Sequence, residues 1–190
     1  MKTADQKPEM WKPNIANWDK GPIKVYEVMF TQAKERYEDV LSESESITNK
    51  AIKMITILIG SITALLIFKP IAILTYPTVI LLLSVVFVWN LITLFILLFP
   101  KQIILRGAPP KELAWDNFDR EGYTGDDIVN GIYYNEIIQY QYKIDYMTRV
   151  NKKRQAKYLT ALILTIVIIV THLCLSIYFA PLVDVEVPAG

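Results

Sequence analysis

The chain has 190 residues and a formal charge of +1, with 53% apolar and 21% charged residues. One cysteine, Cys174, and one histidine, His172, leave no intramolecular disulfide, no multi-cysteine metal site and no His-pair ligation. The near-neutral balance lacks the basic stripe that nucleic acid requires, so no direct nucleic-acid binding is expected, and an apolar content this high points to lipid.

Residues 1–21 hold Pro8, Trp11, Pro13 and Trp18 among polar residues and read as an extended arm pinned by its tryptophans, ended by Gly21-Pro22. From there Ile23, Tyr26, Phe30, Ala33, Tyr37, Val40, Ser44, Ile47, Ala51 and Met54 follow in steps of three and four. That is a heptad seam, and it runs without a Gly or Pro into the apolar run Met54–Phe68. One helix over 22–68 is expected, about 70 Å long at 1.5 Å per residue. A bilayer core needs roughly 20 apolar residues, so span one is complete only if Ala51 and Ile52 join it and Lys53 snorkels. The run starts too deep in the chain, and lacks the small-residue site, for a removable signal peptide.

Lys69-Pro70 reads as a hairpin turn, and the stretch to Tyr76 as an interfacial segment. Span two is expected from Pro77, a favourable first-turn residue, to Phe99, within a hairpin unit of 69–99. A cytoplasmic loop follows over 100–125, rich in Gly and Pro and carrying Trp115, Phe118 and Tyr123. Thr124 is placed to cap a helix whose first turn holds Asp126 and Asp127, at the positive end of the dipole. Adjacent helical residues point apart, so these two acids are read as capping and not as a catalytic pair.

The last helix is expected over 126–180, ended by Pro181. Its seam passes through Tyr133, Ile137, Tyr140, Ile144, Met147, Asn151, Arg154 and Tyr158, then Ala161, Thr165, Ile168 and His172, with span three from Tyr158 to Ala180. Tyr134, Tyr142 and Tyr146 widen its apolar face, which calls for further partners, either loop aromatics or a second protomer. Residues 181–190 form an acidic external tail. The fold class is therefore an all-α integral membrane protein, with three transmembrane helices and two long helices extended as a parallel cytoplasmic stalk. Every basic residue except Lys69 then lies on one side, which puts the N-terminus inside and the C-terminus outside.

Polar residues inside the spans are the functional candidates. His172 is the one ionisable side chain well inside an apolar run, a costly position unless it is paired. It reads either as an interhelical hydrogen-bonder or as a pore-lining, pH-sensitive group. Asn90 with Thr93 one turn on, and Thr165 on the third span, are likewise helix-packing or pore-lining candidates. In span one Gly60 and Ala64 form a small-xxx-small pair, and Thr56, Gly60 and Thr63 share a face that permits close approach or borders a narrow channel. Tyr26, Phe30, Tyr37, Ile137, Tyr140 and Ile144 are the stalk contacts. Lys152, Lys153, Arg154 and Lys157 suit lipid headgroups or the phosphate of a signal molecule. No phosphate loop, nucleophile elbow or zinc-helix motif is present, so no enzyme activity, catalytic residue, metal or cofactor is expected.

The order of parts carries a resemblance. A cytoplasmic helix leads through Asn49-Lys50-Ala51 into a two-span hairpin, Pro100 closes span two, and a Gly/Pro loop follows. The last helix enters the membrane through Asn151-Lys152-Lys153-Arg154. This layout, over roughly residues 30 to 175, resembles the small membrane effectors of bacterial antiphage systems, in particular the Pycsar transmembrane effectors. It is also similar to other few-span accessory proteins of defence loci, including those beside RNA-guided RNases. The resemblance implies an inner-membrane protein that oligomerises on a cytosolic infection signal and permeabilises or depolarises the bilayer. The implied partners are the lipid bilayer, further copies of the chain, and a cyclic nucleotide or a defence-locus protein. The alternative is a non-catalytic membrane anchor or scaffold, whose stalk recruits a cytoplasmic partner and whose polar span residues are buried between helices.

Overall fold

A computed structural model of the chain describes residues 11, 17, 21–68, 77–99, 122 and 124–183, with backbone alone over 64–68, 77–80, 175–176 and 178–183. The described residues form three helices: α1 (Ile23–Phe68, 46 residues), α2 (Pro77–Leu98, 22 residues) and α3 (Gly125–Val183, 59 residues). The sequence expectations for the arm over 1–21, the turn after Phe68, the loop aromatics and the acidic tail fall almost wholly outside these residues. Trp11 is described, and its side chain is exposed.

The ends of the helices follow local chemistry. Pro22 precedes α1, and its carbonyl accepts from Val25 N–H at 2.9 Å to close the first turn. Pro77 opens α2, where its missing N–H costs nothing. At α3 the expected cap is a reciprocal capping box. Asp127 N–H donates to Thr124 Oγ1 at 3.3 Å, while Asp127 Oδ2 accepts from both Thr124 N–H and its hydroxyl at 2.7 Å. The C-terminal end differs from expectation: α3 passes Ala180 and includes Pro181, ending at Val183. A proline that close to a helix end removes one hydrogen bond, with few left beyond it to lose.

The chain divides into two compact units, Met1–Ser44 with Lys101–Lys152, and Glu45–Pro100 with Lys153–Gly190. In the first unit, α1 and α3 pack through Tyr37, Val40, Tyr140, Ile144 and Met147, with Phe30, Ala33, Leu41 and Tyr146 against them. Phe30 meets Tyr133 and Tyr140 at ring-centroid distances of 5.5 and 5.6 Å, and Tyr37 meets Tyr140 at 5.7 Å, all tilted or edge-on as aromatic quadrupoles prefer. Contacts rise together along both helices, from Gly21–Asn130 to Val40–Asn151, so the pair is parallel. Of the stalk contacts expected from the seam, Tyr26, Tyr37, Ile137, Tyr140 and Ile144 are buried and Phe30 is half-buried. The broad tyrosine face of α3 is buried or half-buried within a single chain.

In the second unit Ala51, Met54 and Leu58 of α1, Leu94 and Leu97 of α2, and Ala161 and Ile168 of α3 form one core. Here α2 runs antiparallel to α3, since Asn90 pairs with Thr165 and Leu97 with Arg154. Two helices are long and apolar enough to cross a membrane, by length and composition. Leu81–Leu98 is 17% buried, and so is the apolar window within Gly125–Cys174. Leu81, Leu82 and Trp89 on α2, Phe99 just after it, and Leu159, Leu173 and Ile177 on α3 are exposed in a way water would penalise heavily.

Candidate functional site

The polar residues of the helices separate into buried ties and outward faces. The deepest tie lies in the apolar core of the second unit. Asn90, fully buried, donates from Nδ2 to Thr165 Oγ1 at 2.8 Å, and the Thr165 hydroxyl donates onward to the Ala161 carbonyl at 2.9 Å. Asn90 Oδ1 is buried with no hydrogen-bond partner. Two of the candidates are thus joined between α2 and α3, as interhelical polar bonds join spans in lipid.

The span-one candidates lie elsewhere. Thr56, Gly60 and Thr63 are exposed, on the side of α1 away from its buried Met54 and Leu58. A Cβ at Gly60 would meet nothing within 4 Å. The Thr56 and Thr63 hydroxyls donate back to the carbonyls of Ile52 and Ile59, at 3.2 and 3.0 Å, and so need no partner from another helix. Thr93 does the same to Trp89 at 2.9 Å and is half-buried, as is His172. Within the single chain these residues do not contact the Asn90–Thr165 pair through any of these hydrogen bonds.

Arg154 is the candidate whose placement differs most from a surface role. It is 5% exposed, while Lys152 and Lys157 are exposed and Lys153 is half-buried. Its Nη2 donates to Thr48 Oγ1 at 2.7 Å and to the Leu97 carbonyl at 2.7 Å. Desolvation pushes the guanidinium pKa down from its ordinary value, yet an arginine keeps its proton at neutral pH. The guanidinium is committed to the protein interior, so of the four basic residues expected at headgroups or a phosphate only Lys152 and Lys157 are exposed.

In the first unit Asn151, fully buried, donates to the Val40 carbonyl at 2.8 Å and to Glu43 Oε2 at 3.3 Å. An asparagine at a seam position fixes the register of a helical pair, because only one alignment satisfies it. Asn130 donates to the Gly21 carbonyl at 2.8 Å and so ties the start of α1 to α3. Gly21 is required there: a Cβ would come within 2.7 Å of Tyr26 Cε2.

Three buried polar residues were not anticipated from the periodicity: Asn130, Glu136 and Lys143. Lys143 lays its ammonium over the Tyr140 ring, 5.2 Å from the centroid, a cation–π geometry. They flank the seam, and the tyrosine-rich widening of α3 was the one sequence signal of burial there. Among the described residues no group of His, Cys, Asp and Glu could hold a metal ion. Compared with protein-family models, curated proteins and solved structures, the chain shows no match.

Proposed function

We propose that this chain is a three-span membrane effector of bacterial antiviral defence, with its N-terminus cytoplasmic and its C-terminus outside the inner membrane. A cytosolic signal acts on the parallel pair α1/α3, the chain oligomerises, and the bilayer is permeabilised or depolarised. The observation that carries this reading is that α1 and α3 each belong to both units as uninterrupted helices. Each has a buried heptad seam in one part and exposed apolar side chains in the other. A helix without a break transmits rotation or displacement along its axis, so a change in the aromatic pairing of the seam reaches the apolar end. The exposed Thr56, Gly60, Thr63 face of α1 supplies small side chains for close approach between copies.

A second reading is favoured by the Asn90–Thr165 bond. These two are sealed between helices, which is the placement that a membrane anchor or scaffold requires of its polar span residues. In the effector reading the same bond belongs to a closed state. Inducible expression with a membrane-potential dye separates the two: the effector depolarises cells when the defence locus is triggered, and the anchor never does. Crosslinking in native membranes reports the assembly, and a species that stays monomeric after triggering removes the effector reading.

A further inference from the structure

The last four carbonyls of any α-helix lack intrahelical donors. At the end of α2 the shortage is sharpened, because Pro100 has no N–H to offer the Ile96 carbonyl. Leu97 is almost wholly buried, so water does not satisfy its carbonyl either. The donor is Arg154 of α3, and the same Nη2 places its second hydrogen on Thr48 of α1. One nitrogen therefore ties all three helices of the second unit, with a positive charge at the negative end of the α2 dipole.

We infer that Arg154 is a positioning residue that clasps the C-terminal end of α2 against α1 and α3, and that breaking its bond to the Leu97 carbonyl is the step that frees α2. In lipid there is no hydrophobic force holding one apolar helix to another, so close packing and directional bonds hold the contact. Bonds from a charged donor are the strongest of these. Burying a guanidinium is costly compared with an apolar residue of similar volume, and the return on that cost is a bond that holds only at one alignment of α3. Axial rotation of α3 swings the guanidinium off both acceptors at once.

This inference deepens the effector reading and rests on it only for the consequence of release. The experiment uses the full chain in lipid nanodiscs, with hydrogen–deuterium exchange over 92–98, and in parallel the membrane-potential dye in cells. For Arg154→Gln, exchange over 92–98 is expected to rise by roughly tenfold or more, the equilibrium factor for losing a charge-assisted bond. Thr48→Val gives a smaller rise, since the charge and the Leu97 bond stay. Arg154→Lys restores only part of the protection, because an ammonium lacks the planar fork. Unchanged exchange in Arg154→Gln overturns the clasp, whatever the dye reports. Raised exchange without depolarisation upholds the clasp and removes the permeabilising effector. If Arg154→Gln does not fold, Arg154→Lys decides: unchanged exchange over 92–98 overturns the clasp, and a partial loss of protection upholds it.

Discussion

Replacing Asn90 with leucine should stabilise the protein in lipid, against the intuition that a buried hydrogen bond is worth keeping. The substitution loses the Nδ2 bond to Thr165 Oγ1, 2.8 Å long. Bonds of this kind between spans average about 0.6 kcal/mol. The substitution also removes Oδ1, an acceptor buried without a partner, and that relieves about 1–3 kcal/mol of desolvation cost. Leucine keeps the branching of asparagine, and Thr165 keeps its donation to Ala161. The net expectation is a gain of about 1 kcal/mol. Thr165→Val does the opposite, because it leaves both ends of the Asn90 amide buried and unmet, at a cost of about 1–3 kcal/mol. The double variant should regain the stability of Asn90→Leu, so the two changes are far from additive. Reversible unfolding of the purified chain in bicelles measures all three. A loss of about 2 kcal/mol or more in Asn90→Leu exceeds any measured bond between spans and would refute the reasoning. The same variant bears on the proposed function: a residue sealed between helices can become leucine with the depolarisation phenotype intact, and a lumen residue cannot.

Asn151→Leu is expected to raise the thermal midpoint of the chain while loosening its register, seen as extra crosslinks between cysteines scanned along α1 and α3. Unaltered crosslinks would show that the aromatic pairs set the register without it. Thr124→Ala removes the capping box and should cost about 1 kcal/mol, with faster amide exchange confined to the first turn of α3. Gly21→Ala forces a methyl against the Tyr26 ring and breaks the approach of the Gly21 carbonyl to Asn130. It should therefore behave like Asn130→Ala in exchange of residues 21–26, with no further effect when the two are combined.

Much of the packing was legible because a heptad pattern states which residues face inward before any partner is known. Tyr26, Tyr37, Val40, Ile47, Ala51 and Met54 on α1 are buried at the expected steps, as are Ile137, Tyr140, Met147, Asn151, Arg154, Ala161, Thr165 and Ile168 on α3. Arg154 illustrates the limit. Its place on the seam already pointed inward, but its position in a run of basic residues invited a surface role, and periodicity outweighed composition. Asn90 and Thr165 could each be marked as polar residues in apolar helices, whereas their pairing could not. A uniformly apolar helix such as α2 has no seam to set which side meets α3. Lys143 and Glu136 were illegible for a related reason, since their burial depends on α3 being covered on more than one side.

The polar ties share one geometric property that bears on how α3 works. Asn151, Arg154 and Thr165 are separated by three and eleven residues, steps that keep all three within about 60° of one face at 3.6 residues per turn. Each grips a different element: the Val40 carbonyl of α1, the Leu97 carbonyl at the end of α2, and Asn90 in its interior. Sliding α3 by one turn would carry each donor or acceptor past its mate but bring a seam residue of similar facing into its place, such as Ile144 or Met147. Rotation offers no such replacement, because the neighbouring faces carry exposed Lys152 and Lys157 in the charged stretch and exposed Leu159, Ile163 and Ile166 in the apolar one. Within the second unit a rotated α3 would lose the Leu97 and Asn90 ties together, so that arrangement is abandoned as a whole or not at all. Under the proposed effector function, that all-or-none property is what would keep α2 held until a signal turns α3.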